Sequence, residues 1–178
     1  MNKKTLFVAQ GAVIAALYTV LTVIAGSLNL ASGVIQVRFS EALTILPAFT
    51  PAAIPGLFIG CVLSNIITGC APLDVIFGSI ATLIGALGTW FLTHSYADNK
   101  WTFKNTKANY VLAPLPPVLA NTIIVPFILA YVYMNEGTLW FFALTVGAGE
   151  IISCYILGLV LYSAILPRKE IIFSQNKY

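Results

Sequence analysis

The chain has 178 residues, of which 59% are hydrophobic and 8% charged, with a net charge of +3 and a mean hydropathy of +0.92. A soluble domain carries about 25% charged residues, so this chain has too little polar material to coat a globule in water, and its solvent is lipid. Disorder, a disulfide scaffold and a nucleic-acid module are excluded, leaving an all-α bundle that forms one integral membrane domain over residues 1–178.

The first apolar run, residues 6–26, follows Lys3 and Lys4. It is long enough to span the roughly 30 Å hydrocarbon layer. It also exceeds the roughly 7 to 15 residues of a signal-peptide core, which favours an uncleaved first helix. Residues 41–68 are harder to read, because Pro47, Pro51 and Pro55 stand four apart and a proline inside a helix deletes a backbone bond and clashes with the preceding turn. One straight helix is excluded there, and a short helix pair or a re-entrant hairpin remains. Three further stretches are long enough to cross: 73–93, a proline-interrupted run over 111–134, and 139–166. A polar loop over 95–109 separates the first of these from the second.

Lys and Arg in short loops mark the cytoplasmic side. Eight of the nine cations fall in three clusters: Lys3 and Lys4; Lys100, Lys104 and Lys107; and Arg168, Lys169 and Lys177. With all three clusters inside, the chain crosses an even number of times before Ser95 and again between Asn109 and Pro167. The expected topology is six helices, roughly 5–26, 41–50, 54–69, 73–95, 110–134 and 139–166, with both termini cytoplasmic. Of the six carboxylates, only Asp98 and Glu170 join the cationic clusters. Glu41, Asp74 and Glu136 fall at outer helix ends, and Glu150 falls inside the last helix.

No phosphate-binding G-x-x-x-x-G-K-[ST] loop and no H-E-x-x-H are present, and His94 is the single histidine. Catalysis, a metal site and a cofactor of the chain's own are therefore not expected, and His94 reads as an interfacial helix-end residue. Cys61, Cys70 and Cys154 are odd in number, lack metal-type spacing and lie in or at the edge of apolar runs, so they read as buried free thiols.

Glu150 is the most informative residue, because it lies near the bilayer centre, where an unpaired carboxylate costs about 2.5 kcal/mol or more. A ligand site is the default explanation and a hydrogen bond to a neighbouring helix the plainer one. Gly147, Gly149 and Ser153 beside it suit either a ligand or close helix packing. Arg38 and Glu41 stand three apart at a helix start, where Ser40 can cap. Arg38 is also the one cation outside the three clusters, which points to a pocket. Asn65, Asp74 and Asn121 are supporting candidates, each equally suited to bridging helices. Trp140, with Phe141, Tyr131 and Tyr133, belongs to an aromatic belt by default and to a ring-stacking surface in the minority reading. Together these residues suit a small, planar, donor-rich or cationic ligand entering from outside.

Small residues recur at four-residue spacing in helix one, Gly11 to Ala15 and Ala12 to Ala16, and a similar stripe runs through Ala81, Gly85 and Gly88. Such stripes let another helix approach closely, either within the bundle or from a partner.

Six helices with both ends inside, an Ala-x-x-x-Ala stripe on helix one and a site in the outer half resemble the substrate-binding S components of energy-coupling factor transporters. More narrowly, Val37-Arg38-Phe39-Ser40-Glu41-Ala42-Leu43-Thr44-Ile45-Leu46-Pro47, with Gly60-Cys61-Val62-Leu63-Ser64-Asn65 and Asp74-Val75-Ile76-Phe77-Gly78 downstream, resembles the QueT family of queuosine-precursor transporters. The resemblance implies a prokaryotic cell-membrane protein that captures a 7-deazaguanine such as preQ1 or queuine. It also implies partners: a transmembrane scaffold subunit, met by Ala12 and Ala16, and two cytoplasmic ATPases that use the ATP. Glu150 or Glu41 would accept the ligand's N–H donors or its aminomethyl cation. The alternatives are an S component for another vitamin or nucleobase, a stand-alone carrier, and a small intramembrane enzyme.

Overall fold

The computed structural model describes residues 2–30, 36–97, 100–104 and 108–173, apart from the side chains of residues 97 and 100. Lys107, Lys177 and Asp98 of the charge count lie outside these residues. Four helical stretches are long and apolar enough to cross a membrane: Lys3–Ser27, Pro72–Thr93, Asn109–Tyr131 and Leu139–Ile172. Their lipid-facing character is visible in the many large apolar side chains left outside, such as Val13, Ile84, Ile123 and Val160.

Helix α1 (Lys3–Ser27) is capped by Asn2, whose side chain accepts from Lys4 N. The proline-spaced segment then forms two shorter pieces, a 3-10 helix over Phe39–Ala48 and helix α2 over Ala53–Ile67. Pro47 sits inside the tight 3-10 turn, and Pro55 sits in the first turn of α2, where a missing N–H breaks no helical bond. At 15 residues α2 extends about 22 Å, less than the apolar thickness of a bilayer.

Helix α3 (Pro72–Thr93) ends earlier than expected. His94–Ala97 (β1) instead pairs antiparallel with Lys100–Phe103 (β2), aligning Tyr96 with Trp101 and Ser95 with Thr102. The expected polar loop over 95–109 thus contains two paired strands, whose aromatic and β-branched residues favour extended backbone. His94 is buried, stacks on Trp90 at a ring separation of 3.7 Å and places Nδ1 3.0 Å from the Trp90 carbonyl. Burial pushes its imidazole below the usual range, so the fold favours the neutral ring. Protonation therefore favours unfolding, and this contribution, full above about pH 6.5, is lost as the pH falls through and below that value. A melting-temperature profile of the purified protein will show a decline below about pH 6.5 that is shallower in His94→Phe.

The run expected over 110–134 divides at Ala113–Pro114 into α4 (Asn109–Leu112) and α5 (Leu115–Tyr131). Pro116 and Pro117 occupy the first turn of α5, where they are tolerated. The last stretch comprises α6 (Leu139–Glu150), a wide π-helical segment (Ile151–Leu157), α7 (Gly158–Ile165), a 3-10 turn (Leu166–Arg168) and α8 (Lys169–Ile172). The π segment, which the periodicity of the run does not reveal, begins immediately after Glu150.

Small residues set the helix spacing. A Cβ on Gly56 would stand 2.7 Å from the Gly11 carbonyl oxygen, and one on Gly60 would stand 2.9 Å from that of Ala15, so α1 and α2 meet backbone to backbone. Gly85 and Gly88 serve α3 and α5 alike, with Cβ positions 2.7 Å from Pro117 Cα and 2.5 Å from Pro116 Cβ. The Ala81, Gly85 and Gly88 stripe is therefore internal packing. Gly85→Leu must push backbone aside and is expected to cost about 1–3 kcal/mol, read as a lower melting temperature in detergent.

At the hairpin end, Phe49 packs on Tyr162, Phe103 and Phe173 at ring separations of 4.8, 5.9 and 6.2 Å, and Lys169 Nζ lies 4.5 Å above the Phe103 ring. This cluster closes one end of the bundle, and the buried carboxylates lie in the other half.

Candidate functional site

The polar residues converge on one small cavity in the half of the bundle away from the hairpin. Helical periodicity supplies its walls. Asp74, Gly78 and Thr82 recur at four-residue spacing along α3, Asn121 and Val125 on α5, and Val146 and Glu150 on α6, with Gln36, Arg38 and Glu41 completing the lining. Its free space is about 20 Å3, enough for one water molecule.

Glu41 sits in the first turn of the 3-10 helix and is 2% exposed. Its Oε1 accepts the Tyr18 hydroxyl from α1, and Asn121 Nδ2 approaches Oε2 at 3.5 Å. Its backbone carbonyl accepts from Thr44 Oγ1 at 2.6 Å. One turn along α1, Thr22 Oγ1 donates to Ser40 Oγ at 2.8 Å, so α1 holds this segment at two points. Glu150 is also buried, and the Cys154 thiol, four residues on, donates to its Oε2 at 3.3 Å. Asp74 accepts from the Tyr133 hydroxyl at 2.7 Å, and that oxygen in turn accepts from Ala71 N at 3.1 Å.

Arg38 is placed by close backbone packing. Its N–H donates to Ser153 Oγ at 3.2 Å, and a Cβ on Gly149 would fall 2.0 Å from the Gln36 carbonyl oxygen. The strand of chain before the 3-10 helix thus lies directly on α6, and Gly149 and Ser153 serve that packing.

Of the residues singled out in sequence, Arg38, Glu41, Asp74, Asn121 and Glu150 meet in this cavity. Asn65 does not line it; buried behind Gly78, its amide points to Cys61 Sγ at 3.6 Å. Trp140 lies outside, 82% exposed at the start of α6. Tyr18 and Thr82 escaped the sequence reading, and Cys154 entered it only as a free thiol. A tyrosine in the middle of an apolar span and a thiol one turn after Glu150 were the available signals. All three cysteines are free, with Cys61 and Cys154 buried as expected, whereas Cys70, just after α2, is only half-buried. Glu41, Glu150 and Cys154 bring ligand-type atoms within 4.8 Å of one another. The Arg38 guanidinium lines the same cavity and disfavours a metal cation there.

The residues of the stripe on α1 differ in exposure. Ala15 is buried, and Gly11 packs against α2. Ala12 and Ala16 are exposed, and all four residues line, with Pro55 and Ile59, an apolar groove of about 430 Å3 on the outside of the α1–α2 pair.

Apolar helices long enough to span a bilayer, around a buried cluster of carboxylates, an amide and a guanidinium, fit a multi-pass membrane protein. The comparisons give the family. The QueT transporter model matches residues 8–167, and the chain belongs to that family. The queuosine precursor transporter QueT of Lactococcus lactis subsp. cremoris (strain MG1363) is 33% identical over 113 residues, which cover 63% of this chain and 66% of the relative, just under two thirds of its length. No solved structure matches.

Proposed function

We propose that this chain binds a queuosine precursor, a 7-deazaguanine such as preQ1 or queuine, in the cavity between α3, α5, α6 and the 3-10 helix. The observation that carries this reading is the meeting of Arg38, Glu41, Asn121 and Glu150 at membrane depth. The chemistry is complementary. A guanine-like edge offers paired N–H donors to a carboxylate and a carbonyl to a guanidinium, and the aminomethyl group of preQ1 is a cation that suits the surplus of carboxylates. A purine-sized ring is larger than the present free space, so binding requires the cavity walls to part.

The chain works, in this reading, as the S component of an energy-coupling factor importer in a prokaryotic cell membrane, with six crossings and both termini cytoplasmic. A transmembrane scaffold subunit docks on the Ala12 and Ala16 face, and two cytoplasmic ATPases supply the energy. Uptake of labelled preQ1, queuine and a vitamin panel by cells with and without the gene tests the substrate. Gene-dependent uptake of a 7-deazaguanine that stops when the ATPases are removed supports the whole reading. Transport of a vitamin alone overturns the substrate, and uptake that survives loss of the ATPases overturns the partners.

A further inference from the structure

Glu41 and Glu150 line the same cavity in different surroundings. Both carboxylate oxygens of Glu41 face protein donors, Tyr18 and Asn121, and its carbonyl accepts from Thr44 Oγ1. Glu150 has the Cys154 thiol, a weak donor, and a share of the Asn121 amide that also serves Glu41. Arg38 lies in the field of Glu41 and Asp74, yet among the described residues its guanidinium makes no ion pair within 4.0 Å and no hydrogen bond. A guanidinium carries five donors, and leaving them unused at membrane depth is costly.

We infer that Glu150 and Arg38 are the specificity-determining pair, reading a ligand edge in which N–H donors stand beside a carbonyl, and that Glu41 is a positioning residue held by Tyr18 and Asn121. This rests on the cavity being the substrate site. The lactam edge of a guanine-type ring presents a carbonyl, a ring N–H and an exocyclic amine in that order. Arg38 donates to the carbonyl while Glu150 accepts the two N–H groups in parallel. An adenine-type edge reverses the pattern, setting an amine against Arg38 and a bare ring nitrogen against Glu150. Such a site rejects the wrong edge strongly, because its own buried groups are then left unpaired.

The test uses purified protein and three probes: 7-deazaguanine, its N1-methyl derivative and 7-deazaadenine. Wild-type protein is expected to bind the first and to bind the other two at least about a hundredfold more weakly. Glu150→Gln is expected to lose about a hundredfold in affinity for 7-deazaguanine and most of its preference over the N1-methyl ring. Glu41→Gln, whose amide oxygen still accepts from Tyr18, stays within about tenfold of wild type and keeps the preference, while Glu41→Ala loses binding. The wild-type probe series does not depend on any variant folding, and melting curves verify the variants. Equal binding of the N1-methyl ring, or Glu41→Gln as damaging as Glu150→Gln, overturns the assignment while leaving the substrate reading intact. Wild-type protein that binds none of the three rings overturns the assignment, and failure to bind preQ1 and queuine as well overturns both.

Discussion

Gly149→Val protein will insert and fold but lose about a hundredfold in affinity for a 7-deazaguanine ligand. A Cβ at this position would stand 2.0 Å from the Gln36 carbonyl oxygen and 2.9 Å from its carbon. Both are backbone atoms, so no side-chain rotation relieves the contact, and the segment carrying Arg38 must move away from α6. Arg38 N then loses Ser153 Oγ, and the guanidinium shifts relative to Glu150, the residue adjacent to the substitution. Misplacing a binding group by about 1 Å is enough for a loss of this size. The overpacking itself costs about 1–3 kcal/mol, so the melting temperature falls as well. Gly147→Ala is the control: its Cβ meets only the Thr122 side chain, at 3.3 and 3.4 Å, which can give way. Equilibrium binding to the purified variants decides the matter. Unchanged affinity in Gly149→Val would show that the Gln36–Arg38 segment and α6 do not build the site together.

The site was more legible in the sequence than the local structure around it, and the reason is the cost of charge in lipid. Arg38 stood out because it defies the clustering of the other cations, and Glu150 because of its depth; the cavity joins both. Asp74 and Asn121 followed from the same cost applied to polar groups in apolar runs. Which face of a helix a residue occupies was harder to read. Trp140 lies ten positions before Glu150, about 80° away around α6 at 100° per residue, and therefore looks outward, whereas Val146 lies about 40° away and lines the cavity. Tyr18 was invisible as a site residue because its partner, Glu41, is 23 residues distant and only the fold brings them together. The paired strands His94–Ala97 and Lys100–Phe103 looked like a polar loop because Lys100 and the polar residues obscure four aromatic and β-branched positions: Tyr96, Trp101, Thr102 and Phe103. The π segment has no local composition signal, since one inserted residue leaves the apolar run unbroken. Its position just after Glu150 fits the frequent association of such widenings with functional sites.

Filling the groove on α1 is expected to separate transport from binding. Ala12 and Ala16 are the exposed alanines that line it, while Ala15, which also borders it, is buried against α2. Helices associate in lipid through van der Waals contact, which small residues permit and which decays within an ångström of separation. Two leucines at 12 and 16 would hold any docking helix several ångströms away without touching the interior of this bundle. The expected result for Ala12→Leu with Ala16→Leu is ligand affinity within about twofold of wild type, an unchanged melting temperature, and uptake reduced by about tenfold or more. Val20→Leu on the same helix, already lipid-facing at 54% exposure, should leave uptake intact. Ala15→Leu should instead lower stability, because the α2 backbone stands against it: Gly60 approaches so closely that its Cβ would lie 2.9 Å from the Ala15 carbonyl oxygen. Paired measurements of ligand binding by the purified protein and uptake by cells distinguish the cases. Full uptake in the double leucine variant would mean that the groove is a lipid-filled crevice and that the energising partner docks on another face.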